Sequence, residues 1–211
     1  LNDKTYKSNE PEYENLVTES KNFHATTNLE EGVNFSNLIF IVVQTPNGGG
    51  LKFYDHSILS NLLQKINSMK VKNKSIIIGC TVMPGYIREV AEPLLIDCKN
   101  TSVSYNPEFV AQGEIIKGFK HPDIILIGTN DDSLGNKLKN IYNKFVLTSP
   151  VYCILNPIDA EIVKISFNGF ITTKLSYANM ISDLCDNIGA NKHKVLKSIG
   201  YNKIIGNTPT E

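Results

Sequence analysis

Two short stretches hold the residue types needed for chemistry on a charged, oxygenated small molecule. In Asn106-Pro107-Glu108-Phe109, a carboxylate follows an Asn-Pro step that closes a strand-like run, which puts it at the rim of a sheet. In Glu161-Ile162-Val163-Lys164 with Asn168 the pattern is helical, so Lys164 and Asn168 stand one turn apart on one face. A carboxylate, an ammonium and a carboxamide can bind such a substrate, move a proton on it and offset developing negative charge.

Positioning these groups falls to an alternation of strands and helices. Leu38 to Val43 is an apolar run ended by Thr45-Pro46 and reads as a strand buried on both faces; Ser75 to Gly79 reads the same way. Ser102 to Tyr105, Asp123 to Gly128 and Val151 to Leu155 complete five strands. Helical patterns fall near Glu12 to Val17, Asp55 to Met69, Tyr86 to Leu95, Gln112 to Gly118 and Asp131 to Phe145. This spacing predicts an α/β domain, Rossmann-like, with a mostly parallel sheet flanked by helices. After Asn156-Pro157 comes one long helical pattern, Ile158 to Ile188, ended by Gly189, and then a helix from Lys192 to Ile199. A pattern of roughly 30 residues exceeds the usual globular helix and suits a bridge into an all-α middle domain. The expected division is 1–156 and 157–211.

The chain has 211 residues, 41% of them hydrophobic, with 21 Lys+Arg against 21 Asp+Glu. A balanced charge without a basic run gives no reason to expect nucleic acid or a membrane surface as partner. No apolar run reaches the ~18 residues of a spanning helix. Cys80, Cys98, Cys153 and Cys185 are far apart and form no CxxC pair, so buried reduced thiols in a cytoplasmic protein are expected. The polar start, Leu1-Asn2-Asp3-Lys4, is neither a signal peptide nor an initiating Met and fits a chain that begins mid-protein.

Open parallel sheets bind ligands at the carboxyl ends of their strands, where Thr45, Thr81 and Glu108 fall. Alone, each has an ordinary reading: Thr as turn chemistry, Glu as a solvated rim carboxylate. Lys164 on an otherwise apolar helix has one too, snorkelling to solvent or pairing with Glu161. Gly48-Gly49-Gly50 lacks the GxxxxGK[ST] pattern and reads as a loop, and no GxGxxG occurs. None of the four histidines has a second ligand at helical spacing, so no metal is expected.

These stretches resemble the UDP-glucose/GDP-mannose dehydrogenases, NAD-dependent enzymes that oxidise the sugar alcohol of a nucleotide sugar to a carboxylate. The resemblance rests on Ile39 to Pro46, Cys80 to Gly85, Asn106 to Gly113, Pro122 to Gly128, Ala160 to Lys164 with Asn168, and Thr173 to Asn179, in family order. It implies NAD as cofactor, held along Thr45 and Thr81, with Gln112 at a cofactor-side position. It also implies catalytic roles for Thr81 (beside the nicotinamide, holding a water), Glu108 (general base in the hydrolytic step), Lys164 (oxyanion stabilisation) and Asn168, its partner. Phe109, Val110 and Ala111, with Lys164 and Asn168, would hold the nucleotide sugar, and the long central helix would form a homodimer.

Three positions depart from the family: Cys80 replaces its usual Ser, Gln112 its frequent Glu, and Ile124 its common Arg. Gln112 cannot ionise, which leaves it hydrogen bonding only. The resemblance further implies an internal fragment: the family's first strand, GxGxxG and helix would precede Leu1, and its nucleophilic Cys in a Gly-rich segment would follow Glu211. Cys185, mid-helix, is not that nucleophile. On this reading the isolated chain is inactive. Two rivals stand beside it: a 6-phosphogluconate or hydroxyacid-type dehydrogenase, and a non-catalytic nucleotide-binding homologue.

Overall fold

A computed structural model of the chain describes residues 2, 5, 7–49, 53–111 and 113–201. The chain divides into two compact units, Leu1–Ile162 and Val163–Glu211. In the first, the order is α1 (Tyr13–Glu19), α2 (Leu29–Phe35), β1 (Leu38–Ile41), α3 (Ser57–Ser68) and β2 (Ser75–Ile78). A π-helical turn (Ile87–Ala91) runs into α4 (Glu92–Leu94), followed by β3 (Ser102–Tyr105), α5 (Ile115–Lys120), β4 (Ile124–Gly128), α6 (Asp132–Tyr142) and β5 (Val151–Leu155). Then come α7 (Pro157–Ile188), which crosses the division, and α8 (Lys192–Gly200). No helix among the described residues is long and apolar enough to cross a membrane.

The strands form one sheet in the order β1-β2-β3-β4-β5. β1, β2 and β3 are parallel and in step, with Ile41 opposite Ile78 and Ile78 opposite Tyr105. β4 and β5 are parallel to each other, but β4 meets β3 antiparallel through one pair, Tyr105 and Gly128. Side chains reinforce this join. The Ser104 hydroxyl donates to Thr129 Oγ1 at 2.9 Å, and Asn106 Nδ2 donates to the Leu126 carbonyl at 2.8 Å.

β2 is buried on both faces: Ile76, Ile77 and Ile78 are fully enclosed, with Ile77 on the opposite side from its neighbours. Ile77 packs with Ile125, Ile127, Leu134 and Leu138 into a core that Tyr142 and Tyr152 border. The expectation of the same for β1 does not hold. β1 ends at Ile41 and forms the edge of the sheet among the described residues, leaving Phe40 45% and Val42 62% exposed. An apolar run records hydrophobicity but not whether a second neighbour covers it.

Helix starts follow local chemistry. Asn28 caps α2 by accepting from the Glu30 and Glu31 amides, Asp131 caps α6 through Ser133 and Leu134, and Asn191 caps α8 through Lys194. α7 begins on Pro157, whose missing N–H costs nothing at a first helical position, while Asn156 Oδ1 accepts from the Asp159 amide at 3.0 Å. Its end closes with the Ala190 amide returning to the Cys185 carbonyl at 2.8 Å.

Candidate active site

The shared register of β1, β2 and β3 brings their carboxyl ends to one edge. The Gly79 amide donates to the Ile41 carbonyl, and the Asn106 amide to the Ile78 carbonyl, each at 2.9 Å. At Gly79 the neighbouring segments leave little room for a side chain: a Cβ there would lie 3.1 Å from Val42 Cγ2 and 3.6 Å from the Asn106 carbonyl oxygen. The segments leading to Thr45, Thr81 and Glu108 therefore run side by side, and all three residues are half-buried. Cys80 lies among them. Burial pushes its thiol up, backbone contacts at Val43 and Cys80 itself oppose this, and the charge of Glu108 adds to the rise.

Asn106 fixes the turn that carries Glu108. It is 3% exposed and uses both ends of its carboxamide, giving to the Leu126 carbonyl and accepting from the Tyr142 hydroxyl at 2.7 Å. Burial pushes the Tyr142 hydroxyl up to about 12, with Glu108 adding and the Asn106 bond opposing. A cavity of about 220 Å³ opens here, lined by Phe40, Val42, Glu108 and Tyr142 among others. Beyond Glu108, the Val110 side chain packs against Gly118 of α5, where a Cβ would come within 2.9 Å of it. Phe109 is half-buried and Ala111 exposed, and Gln112 lies outside the described residues.

The loop after Thr81 is pinned at three amides. Met83 N–H donates to His56 Nε2 at 3.3 Å, which requires the neutral ring. The His56 ring lies 4.6 Å from that of Tyr86, whose hydroxyl meets Ser60 Oγ at 2.9 Å. Gly85 and Ile87 donate to the two oxygens of Glu161 at 2.6 and 2.8 Å. A cleft of about 680 Å³ borders this loop, with Tyr54, Asp55, His56, Tyr86 and Glu89 in its wall.

In the second unit, Lys164 sits on α7 and is 8% exposed. Its ammonium does not snorkel to solvent, and burial sharpens whatever electrostatic work it does. Asn168 is half-buried one turn on, its carbonyl accepting from the Thr172 hydroxyl at 3.0 Å. Cys80 and Cys185 are buried, Cys98 and Cys153 half-buried, and all are free thiols. Among the described residues no group of His, Cys, Asp and Glu is arranged to hold a metal ion.

Thr45 and Thr81 follow the carboxyl ends of the neighbouring parallel strands β1 and β2, the edge at which open parallel sheets bind ligands. His56, Tyr142 and the anchoring role of Glu161 have no signal in the sequence, because their partners lie 27, 36 and 76 residues away.

The profile for the UDP-glucose/GDP-mannose dehydrogenase family, NAD binding domain, matches residues 1–146, and that for the family's central domain matches residues 158–211. A UDP-glucose 6-dehydrogenase of Bacillus subtilis is 32% identical over 211 residues, covering 93% of this chain and 45% of its own. One of Rickettsia typhi is 27% identical over 201 residues, covering 95% and 46%. Among solved structures, a ternary complex of GDP-mannose dehydrogenase from Pseudomonas aeruginosa superposes with a TM-score of 0.84 at 25% identity, over 95% of this chain and 48% of that one. The chain spans about half the length of the curated relatives it matches.

Proposed function

The chain belongs to the UDP-glucose/GDP-mannose dehydrogenase family, and from that membership we propose that it supplies the NAD-binding part and the central helix of a nucleotide-sugar 6-dehydrogenase. UDP-glucose is the first candidate substrate, since the relatives from Bacillus subtilis and Rickettsia typhi carry that name. The reaction takes the sugar's C6 alcohol to a carboxylate in the cytoplasm, giving a nucleotide uronic acid of the kind acidic polysaccharides are built from. The observation that carries this reading is the convergence of the Thr45, Thr81 and Glu108 segments on one sheet edge.

When bound, NAD accepts the hydride. Thr45 and Thr81 would hold it, with Gln112 as a neutral hydrogen-bonding neighbour. The chain's own residues do the rest. Lys164 presents a buried ammonium to the oxygen that becomes negative as the alcohol is oxidised, where a preorganised charge acts most strongly. Asn168 adds a carboxamide donor to the same oxygen. In the hydrolytic half, water would add to the acyl carbon and release the thiolate of the family's nucleophilic Cys, with Glu108 taking the water's proton and Thr81 orienting that water. The backbone of Phe109, Val110 and Ala111 lies along the sugar nucleotide, a role that leaves the Val110 side chain free to pack on Gly118. We take residues 1–156 as the cofactor-binding region and 157–211 as the start of the central helical domain.

We further propose a homodimer through α7, a reading supported by Phe170, Tyr177 and Leu184, which recur at seven-residue steps and are 62%, 41% and 53% exposed. No observation favours a 6-phosphogluconate-type or a non-catalytic rival.

The test is NADH formation by the protein from the full open reading frame, supplied in turn with UDP-glucose, GDP-mannose and UDP-N-acetyl sugars. Two NADH per sugar oxidised is expected from one of them, and none from any would overturn the proposal. The 211-residue chain alone contains no GxGxxG and is expected to produce no NADH.

A further inference from the structure

We infer that Glu161 is a positioning residue of this reaction, anchoring the Thr81–Ile87 loop through the Gly85 and Ile87 amides. The inference rests on the dehydrogenase reading for what the loop does, and on geometry alone for the anchoring. Glu161 is 1% exposed, and its two oxygens accept from amides two residues apart, at 2.6 and 2.8 Å. Those amides belong to the start of the helical turn that follows the loop, where N–H groups lack intrahelical partners.

A buried carboxylate is tolerated only when its oxygens are satisfied. Here burial pushes the carboxyl up, while the Ile87 and Gly85 amides and the Arg88 charge pull the other way. With Met83 held by His56, the carboxylate gives the loop a second anchor. Thr81, between the strand end and these clamps, has little freedom left. Surface charge pairing cannot replace this arrangement: Arg88 pairs with Glu89, and both are mostly exposed.

Glu161→Gln keeps the shape but turns an amide NH2 toward one of the two backbone donors. In the full-length protein we expect kcat to fall about tenfold, the equivalent of one lost charge-assisted bond, with the KM for nucleotide sugar within about twofold. The Met83, Gly85, Tyr86 and Ile87 amides should exchange with solvent faster while those of β4 do not. Glu161→Asp, which keeps the charge but shortens the reach, should show a smaller change and covers the case in which the Gln variant does not fold.

The deciding readout is a cycle with Thr81→Val. If Glu161 acts through Thr81, the double variant loses no more kcat than Thr81→Val alone. Additive losses, an unchanged kcat, or unchanged exchange at 83–87 would overturn the inference. If the parent protein makes no NADH, the dehydrogenase reading has failed, and the exchange measurement still decides the anchoring.

Discussion

Lys164 shows how much a single side chain's surroundings alter its meaning. On a helix with apolar neighbours, a lysine is ordinarily a solvated head on a greasy stem, but here the residue is 8% exposed. We expect Lys164→Met, which preserves volume, to lower kcat of the full-length protein on the order of 100- to 1,000-fold, with its thermal midpoint kept. A kcat within threefold would remove Lys164 from the mechanism. His56 gives a pH dependence. Burial holds its pKa below the ordinary 6.5, against a smaller upward pull from Asp55. The unfolded chain therefore takes up its proton first as pH falls. The stability this imidazole contributes is present above 6.5 and is lost as pH drops through the depressed value. The urea midpoint should decline over that window, and His56→Gln, which cannot titrate, should flatten the decline. Identical pH profiles for the two proteins would refute it.

At the scale of elements, β3 and β5 are legible to the residue, because each is a short strand-forming stretch closed by an Asn-Pro step. Elsewhere local sequence is insufficient. α2 escapes notice since Leu29–Phe35 holds a glycine and two acidic residues, and only the Asn28 cap hints at it. α5 starts at Ile115 rather than Gln112, in a stretch where Glu10 accepts from the Gly113 and Ile115 amides across more than 100 residues of chain. The π-helical turn leaves no periodic trace. The edge that carries Thr45, Thr81 and Glu108 was readable from strand ends, whereas the Asn106–Tyr142 and Glu161 contacts that shape it were not. One element junction is tight enough to test. A Cβ on Gly128 would lie 2.8 Å from Ala160 Cβ, 3.1 Å from Pro157 Cα and 3.2 Å from Tyr105 Cβ, with no flexible tip among them. Gly128→Ala should cost about 1–3 kcal/mol, read as a lower denaturation midpoint; an unchanged midpoint would mean the junction yields more easily than its packing suggests.

For the molecule as a whole, the exposed apolar residues of α7 set the expected assembly. Sedimentation of the full-length protein should show a dimer, and Phe170→Glu with Leu184→Glu should shift it to monomer; a parent that stays monomeric at micromolar concentration would refute the interface. The join between β3 and β4 has a different consequence. With one ladder pair and two side-chain bonds linking the strands there, backbone pairing is sparsest at this join, and the Ile77 core shared by β2, β4 and α6 holds the two halves of the sheet together. The Glu108 turn sits on that boundary, with Asn106 the tie across it, so the carboxylate proposed as the base is placed by side-chain packing rather than by the ladder.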